Sequence, residues 1–285
     1  MKYSEIEASY LKLAKASNKK STYKSQEPRI RIHLRPFLKG LEMPLTSEQE
    51  IELKAQINEK DISPQYKRTI WIMYSQLVNH ARNAMGIENS RVKIKGFRRP
   101  PRNIYTIWDF RQYGKFREQL KDKTETAFFD LLYFGGLRRG EAMALTRPDL
   151  LGKDKIAITK TFSKGETTAT KTRAGTRIIK LPKDVYRELE ELEGFKLFQG
   201  LSYSSLKRRL DGGAERAGLP RARIHDLRHS HITMLLYAGM TPQGIAHRVG
   251  HEDTNTLFNT YAGYLTKEDE TICKYLDRKI EKHGS

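Results

Sequence analysis

The chain has 285 residues, enough for two domains with ordinary cores, and carries 53 Lys+Arg against 34 Asp+Glu, a formal charge of +19. With a pI of about 9.8 and the excess shared between both halves, a polyanionic partner is implied and both halves are expected to meet phosphate. One cysteine, Cys273, excludes an intrachain disulfide and a Cys-built zinc site; with neither a signal-type N-terminus nor a run of about 18 apolar residues, the expectation is a cytoplasmic protein without membrane spans.

Residues 3–16 place Ile6, Tyr10, Leu11 and Leu13 among polar neighbours, which predicts a moderately amphipathic helix. The polar stretch Ser17 to Ser25 is expected to break it, and Pro36 and Gly40 to limit any helix in the next stretch, RIRIHLRPFLKG. Thr46 or Ser47, with Gln49 or Glu50 as the third-position partner of a capping box, opens a helix to about Lys60. Ser63-Pro64 then reads as N-cap and first turn of a longer helix with the stripe Ile70, Met73, Leu77 and Ala81, ending before Gly86. Trp71 reads as core rather than as a base-stacking group. Residues 1–90 thus form a small helical domain whose basic side chains include Lys19, Lys20, Lys24, Arg29, Arg31, Arg35, Lys67 and Arg68. Each alone is an ordinary solvated residue; together they suit backbone and groove contacts on nucleic acid. The segment RVKIKGFRRPPRN, residues 91–103, is basic, stiffened by Pro100-Pro101 and sparse in packing residues. It reads as a linker laid along nucleic acid, with Arg98 and Arg99 among its contacts.

Residues 105–120 are expected to be helical, with Ile107, Phe110, Tyr113 and Phe116 as the core stripe, followed by a helix from about Lys123 to Gly135-Gly136. GGLRRGEAMAL then delivers two arginines on a Gly-rich turn ahead of a short helix with Glu141. KIAITKT, ETTATK and TRIIKLP alternate in polarity and are joined by Gly-containing turns, which predicts a three-stranded antiparallel sheet with Lys171 at the rim of its second hairpin. A lysine at such a rim is by itself a solubility device. Helices are expected at about 182–192 and 204–217, and another opens at Thr241-Pro242. The segment from Thr266 to about Lys282 carries Ile272, Tyr275, Leu276 and Ile280 on one helical face.

The most informative stretch is HDLRHSHITMLLYAGMTPQGIAHRVGHEDTNTLFNTY, residues 225–261. It joins His225-x-x-Arg228, Gly250-His251 and Tyr261, ten positions past His251. An arginine fork neutralises phosphate oxygens at any working pH, histidine moves protons near neutrality, and tyrosine is a nucleophile once positive surroundings favour its phenolate. Together, in this order, they point to covalent attack on a phosphodiester.

GGLRRGE, KTRAGTR, HDLRH, RVGHED and NTY resemble the tyrosine recombinase (phage integrase) family, particularly integrases of phages and mobile elements in Gram-positive bacteria. The resemblance covers residues 104–285 well and the first hundred only loosely. It implies an α+β protein: a small all-helical core-binding domain, the 91–103 linker, then a mainly helical catalytic domain, 104–285, with a three-stranded antiparallel sheet and a C-terminal exchange helix. It implies that Arg138 and Arg228 bind phosphate, that Lys171 protonates the 5′ leaving oxygen and that His225 and His251 assist. Tyr261 is then the nucleophile, with Tyr264 as the competing position, and Glu141 supports the site. Gly136 stands where many relatives have threonine before glycine, and Arg248-Val249 replaces the usual apolar pair before Gly250. The expected partners are double-stranded DNA attachment sites, a homotetramer on synapsed DNA and accessory DNA-bending proteins. No cofactor and no metal is expected, since neither a Walker-type loop nor a carboxylate cluster with Mg²⁺ spacing is present. A type IB topoisomerase or telomere resolvase would share the chemistry. A DNA-binding regulator with a decayed catalytic domain would lack at least one of the six residues, and none is missing.

Overall fold

The computed structural model describes residues 1–18, 20–100, 105–163, 165–170, 173–252, 254 and 257. The chain divides into two compact units, Met1–Asn103 and Ile104–Ser285. No described helix is long and apolar enough to cross a membrane.

In the first unit α1 (Tyr3–Ser17) ends where Asn18 turns extended, as the polar composition predicts. The chain then restarts as α2 (Lys20–Arg29), a π-turn (Ile30–Leu34) and α3 (Arg35–Leu38), so most of Ser17–Ser25 is helical and, among the described residues, the expected break shrinks to Asn18. The helix survives Pro36 because the preceding turn widens: Arg35 N–H donates to Ile30 O, five residues back, before the proline removes the next donor. Buried Ile30, Leu34 and Leu38 hold this segment on the core. α4 (Ser47–Glu59) starts at the Thr46/Gln49 capping box, and α5 (Pro64–Met85) runs from Ser63 to Gly86, whose φ of 71° closes it. Ile6, Leu53, Ile57, Ile70, Trp71 and Leu77 belong to the core shared by these helices. Residues of the expected linker join it: Val92, Ile94 and Phe97 pack on the same core, and the N–H groups of Lys93 and Ile94 donate to Glu50 Oε2 at 2.8 and 2.9 Å.

In the second unit the expected 105–120 helix is shorter. Residues 105–109 are not helical, and α6 (Phe110–Arg117) begins at the Asp109/Gln112 capping box. Trp108, not Ile107, fills the core there, its indole N–H donating to Pro220 O at 3.1 Å, and Phe110 faces solvent. α7 (Lys123–Tyr133) is nearly all buried, since α9 (Lys183–Glu190) and α11 (Ile224–Tyr237) both pack on it. α8 (Arg139–Met143) and α10 (Tyr203–Arg216) complete this layer, and α12 (Pro242–Val249) packs on α11 through Ile232, Ile245, Ala246 and Val249.

The three expected strand runs form, but not as one three-stranded sheet. β1 (Lys155–Ile158) pairs antiparallel with β4 (Arg177–Lys180), and β2 (Lys160–Ser163) pairs antiparallel with β3 (Glu166–Ala169), giving two two-stranded ladders. The run KIAITKT changes partner at Thr159. Burial accompanies the division: Ile156, Ile158 and Ile179 anchor the first ladder in the core, whereas β2 is at most half-buried and β3 is exposed throughout.

Candidate active site

Glycine geometry brings the distant parts of the site together. At Gly136, φ is +68° and a Cβ would lie 2.4 Å from His231 Cδ2; at Gly250, φ is +68° and a Cβ would lie 2.7 Å from Arg177 Nη1. These turns set three arginines around one carboxylate. Arg138, at the N-cap of α8, donates through its backbone N–H to Glu141 Oε2 (2.9 Å), through Nη1 to Glu141 Oε1 (2.7 Å) and through Nη2 to Gly250 O (2.9 Å). Arg228, on the second turn of α11, donates to Gly136 O and Val249 O, both at 2.6 Å, and is 1% exposed. Arg177, from β4, donates to Glu141 Oε2 (2.9 Å), Gly175 O (3.0 Å) and Arg248 O (2.7 Å).

Burial alone would raise the Glu141 carboxyl, but Arg177 and then Arg138 outweigh it and hold the group below its ordinary value. One carboxylate among three guanidiniums leaves surplus positive charge, and the Arg138 side chain, 40% exposed, carries part of it to the surface. Three successive carbonyls at the end of α12, those of Arg248, Val249 and Gly250, each accept from a different arginine: Arg177, Arg228 and Arg138. Those orphan acceptors form the negative end of the helix, so the cations gather where its dipole favours them.

Both expected histidines face this charge. His225 is exposed on one side, but protein crowds the rest of its ring, and His229 meets it edge-on at 4.8 Å. Withdrawal from water, then the charges of Arg228 and Arg138, push it down to about 4. His251 is half-buried beyond Gly250, its N–H donating to Ala246 O at 2.9 Å. Burial and then Arg228, Arg138, His225 and Arg177 push it down to about 4 as well. Its Nδ1 is buried without a hydrogen-bond partner among the described residues. Both rings are therefore neutral near pH 7, through burial first, and an incoming phosphate would offset only the part that the arginine charge adds. Lys171, Tyr261, Tyr264 and the segment 266–285 lie outside the described residues.

The sequence reading missed Arg177, which shares Glu141 with Arg138. A signal was present: on β4 it has the same parity as buried Ile179, so a charge stands on the inward face of a strand. Arg248, noted only as a departure from the usual pattern, is also tied into the surrounding structure, as is His231.

In the first unit the basic candidates differ in availability. Lys24, Arg98 and Arg99 are exposed. Arg31 is paired with Glu27 at 3.1 Å, Arg29 lies over the Tyr66 ring at 5.7 Å, and Lys67 Nζ donates to Asn58 O at 2.5 Å. Arg68 is half-buried on α5, and Arg35 is spent on Glu7, through Nε at 3.0 Å and Nη2 at 2.5 Å. Lys19 and the Lys20 side chain lie outside the described residues.

Residues 103–268 match the model of the phage integrase family. The ICEBs1 integrase of Bacillus subtilis (strain 168) is 24% identical over 94% of this chain and 80% of its own length. The integrase of Staphylococcus phage L54a is 29% identical over 52% of this chain and 49% of its own. Among solved structures, the Tn1549 transposon integrase in complex with transposon right-end DNA superposes with a TM-score of 0.76, covering 100% of both chains at 16% identity. A lambda integrase dimer bound to a COC′ core site gives 0.69 over 90% of this chain and 97% of that one, also at 16% identity. The fold is thus that of these integrases, and the family match spans more than half the sequence: the chain belongs to the phage integrase family of tyrosine recombinases.

Proposed function

We propose that this chain is the site-specific recombinase of a phage or mobile element, cutting and rejoining DNA through a 3′-phosphotyrosine. The carrying observation is the convergence of Arg138 and Arg228 with His225 and His251, from separate stretches of sequence, around one positively charged site. In this reading the Tyr261 hydroxyl oxygen attacks the scissile phosphorus and its proton passes toward His225. The bond from phosphorus to the 5′ oxygen breaks, and Lys171 protonates that oxygen to leave a free 5′-hydroxyl. Arg138, Arg228 and His251 hold the charge that builds on the non-bridging oxygens. The phosphotyrosine conserves the bond energy, so a 5′-hydroxyl of a partner duplex can attack it and restore a phosphodiester. Residues of the first unit, Lys24, Arg98 and Arg99 foremost, contact the backbone of the attachment site, in keeping with the DNA complexes of the Tn1549 and lambda integrases.

The test is a nicked duplex spanning the end of the genetic element that encodes the chain, incubated in excess EDTA and run under denaturing conditions. A resistant protein–DNA adduct is expected, lost in Tyr261→Phe with DNA binding retained. No adduct without Mg²⁺ points to another enzyme class, and an adduct lost in Tyr264→Phe alone moves the nucleophile.

Assembly rests on the apolar stripe Ile272, Tyr275, Leu276 and Ile280. In this reading it seats on a neighbouring subunit, linking four protomers on two duplexes, and a cavity of about 1040 Å³ offers it a receptor, with apolar Phe134, Val185, Met234, Leu235 and Ile245 beside charged Arg117, Arg187, Glu188 and Arg248. Deleting residues 266–285 should abolish multimeric DNA complexes while binding to a single site persists; intact synaptic complexes would end this reading of the tail.

A further inference from the structure

The end of α12 organises the arginines of the site, so whatever fixes that end sets their positions. Besides the three arginines bound to its carbonyls, the Arg248 side chain anchors it. Its Nε donates to His231 Nε2 (3.1 Å), its Nη1 to Lys180 O (3.1 Å) and its Nη2 to Phe134 O (3.0 Å). These acceptors lie on α11, on β4 and at the end of α7. The same three elements carry Arg228, carry Arg177 and lead through Gly135-Gly136 to Arg138. One side chain therefore ties the carbonyl-bearing turn to the three places from which its arginines come.

His231 makes the tie specific. It is 1% exposed, and its Nδ1 lies 2.8 Å from Tyr133 O, an arrangement in which Nδ1–H donates and Nε2 is left to accept from Arg248. Burial and the neighbouring Arg248 charge push the ring down to about 3, which keeps Nε2 unprotonated at neutral pH. The ring also packs against Gly136, whose carbonyl holds Arg228. Tyr133 O, Phe134 O and Gly136 O, around the end of α7, thus take donors from His231, Arg248 and Arg228. Lysine could not replace Arg248, because its ammonium lacks the planar fork that reaches three fixed acceptors at once.

We propose that Arg248 and His231 are a positioning pair for strand cleavage, fixing the α12 turn so that Arg138, Arg228 and His251 meet the scissile phosphate in register. The inference rests on the reading of those three residues as the phosphate-binding group. Arg248 acts through them, since its Nε, Nη1 and Nη2 are each committed to a protein acceptor.

The experiment compares the full chain with Arg248→Lys, Arg248→Met, His231→Asn and the Arg248→Met/His231→Asn double variant on the same nicked duplex. It reads the single-turnover adduct rate at saturating DNA, the half-saturating DNA concentration and the folded fraction by circular dichroism. A displacement of the turn by about 1 Å costs roughly 100-fold in rate. A loss of that order is therefore expected in the saturating rate of both Arg248 variants, with half-saturation and folded fraction unchanged. The double variant should be no slower than Arg248→Met, because the two residues work as one unit. Saturating rates near wild type, or rate losses that merely follow DNA affinity or folded fraction, would overturn the proposal. Where Arg248→Met fails to fold, Arg248→Lys and His231→Asn decide, as both keep a polar group of similar reach. If wild-type protein forms no adduct, the functional reading falls and takes this inference with it. An adduct in wild type and an equally fast one in the Arg248 variants removes the inference alone.

Discussion

Each unit buries two glutamates among its described residues, and of these Glu50 and Glu141 are satisfied in opposite ways. Glu50 in the first unit is fully buried and accepts from the Tyr74 hydroxyl at 2.8 Å and from the N–H groups of Lys93 and Ile94. Its partners are neutral, and it fastens the segment after α5 back onto α4. Glu141 in the second unit is 3% exposed and takes Arg138 and Arg177 directly, with Arg228 at 4.0 Å. Glu50 closes its contacts, whereas Glu141 leaves a positive remainder. Among neutral donors a buried carboxyl is a fastening; outnumbered by guanidiniums, it arranges cations that would otherwise repel one another.

The sharpest way to break this comparison is to neutralise each carboxyl. Glu141→Gln should destabilise the second unit by about 3–5 kcal/mol, as expected when one side of a buried ion pair is removed, and slow adduct formation by about 100-fold. Glu50→Gln should destabilise the first unit by about 1–3 kcal/mol and leave the saturating adduct rate unchanged. Denaturant titration with single-turnover kinetics reads both effects. Equal kinetic losses would mean that the two glutamates do the same work.

Acid should separate the units next. His225, His229, His231 and His251 sit at about 4, 3, 3 and 4 in the folded second unit, depressed by burial first, against about 6.5 in an unfolded chain. As pH falls below about 6.5 the unfolded chain takes up protons that the folded unit refuses. Stability therefore declines as pH falls toward about 4, by on the order of a few kcal/mol, the exposed edge of His225 contributing least. In the first unit burial depresses only His33 and His80. Hydrogen exchange of the full chain at pH 7 and 5, corrected for intrinsic rates, should show α11 peptides losing more protection than α5 peptides; equal losses would contradict it.

The smallest effects concern phosphate contacts by the first unit. Arg98→Ala should reduce the slope of log affinity against log salt by about 0.9, the value of one lost phosphate contact. Arg31→Ala should change it less, because Glu27 already holds that guanidinium. An unchanged slope in Arg98→Ala would take that residue off the DNA.

Much of the molecule was legible in the sequence wherever a local signal coincides with the force that decides the structure. Ser63-Pro64 to Gly86 and Thr46 with Gln49 bound their helices because the caps satisfy backbone groups locally. α2 was not legible: its polar surface has no stripe, and it is held by the apolar Ile30, Leu34 and Leu38 just beyond it. The strand division at Thr159 goes with a difference in burial between the two ladders, a tertiary fact. In the site, His225, Arg228 and His251 carried recognisable spacing, whereas Arg138 rather than Arg139, and Glu141, were singled out only by the family resemblance. Arg177 carried only its strand parity, and the roles of Arg248 and His231 depend on acceptors that are main-chain carbonyls, which no side-chain pattern records.

Main-chain acceptors also bear on how such an enzyme can change over time. The groups that collect the three arginines are peptide oxygens, and every residue type supplies one. Here identity is held for other reasons: the Arg248 fork ties the turn to three elements, Val249 is buried, and Gly250 keeps a φ of +68° against Arg177. Length is held as well: one residue inserted into α12 would rotate the turn at its end by about 100° and present each arginine with the wrong oxygen. Spacing is therefore a constraint additional to side-chain identity: a variant that keeps every named side chain and shifts the turn by one residue should still lose the array.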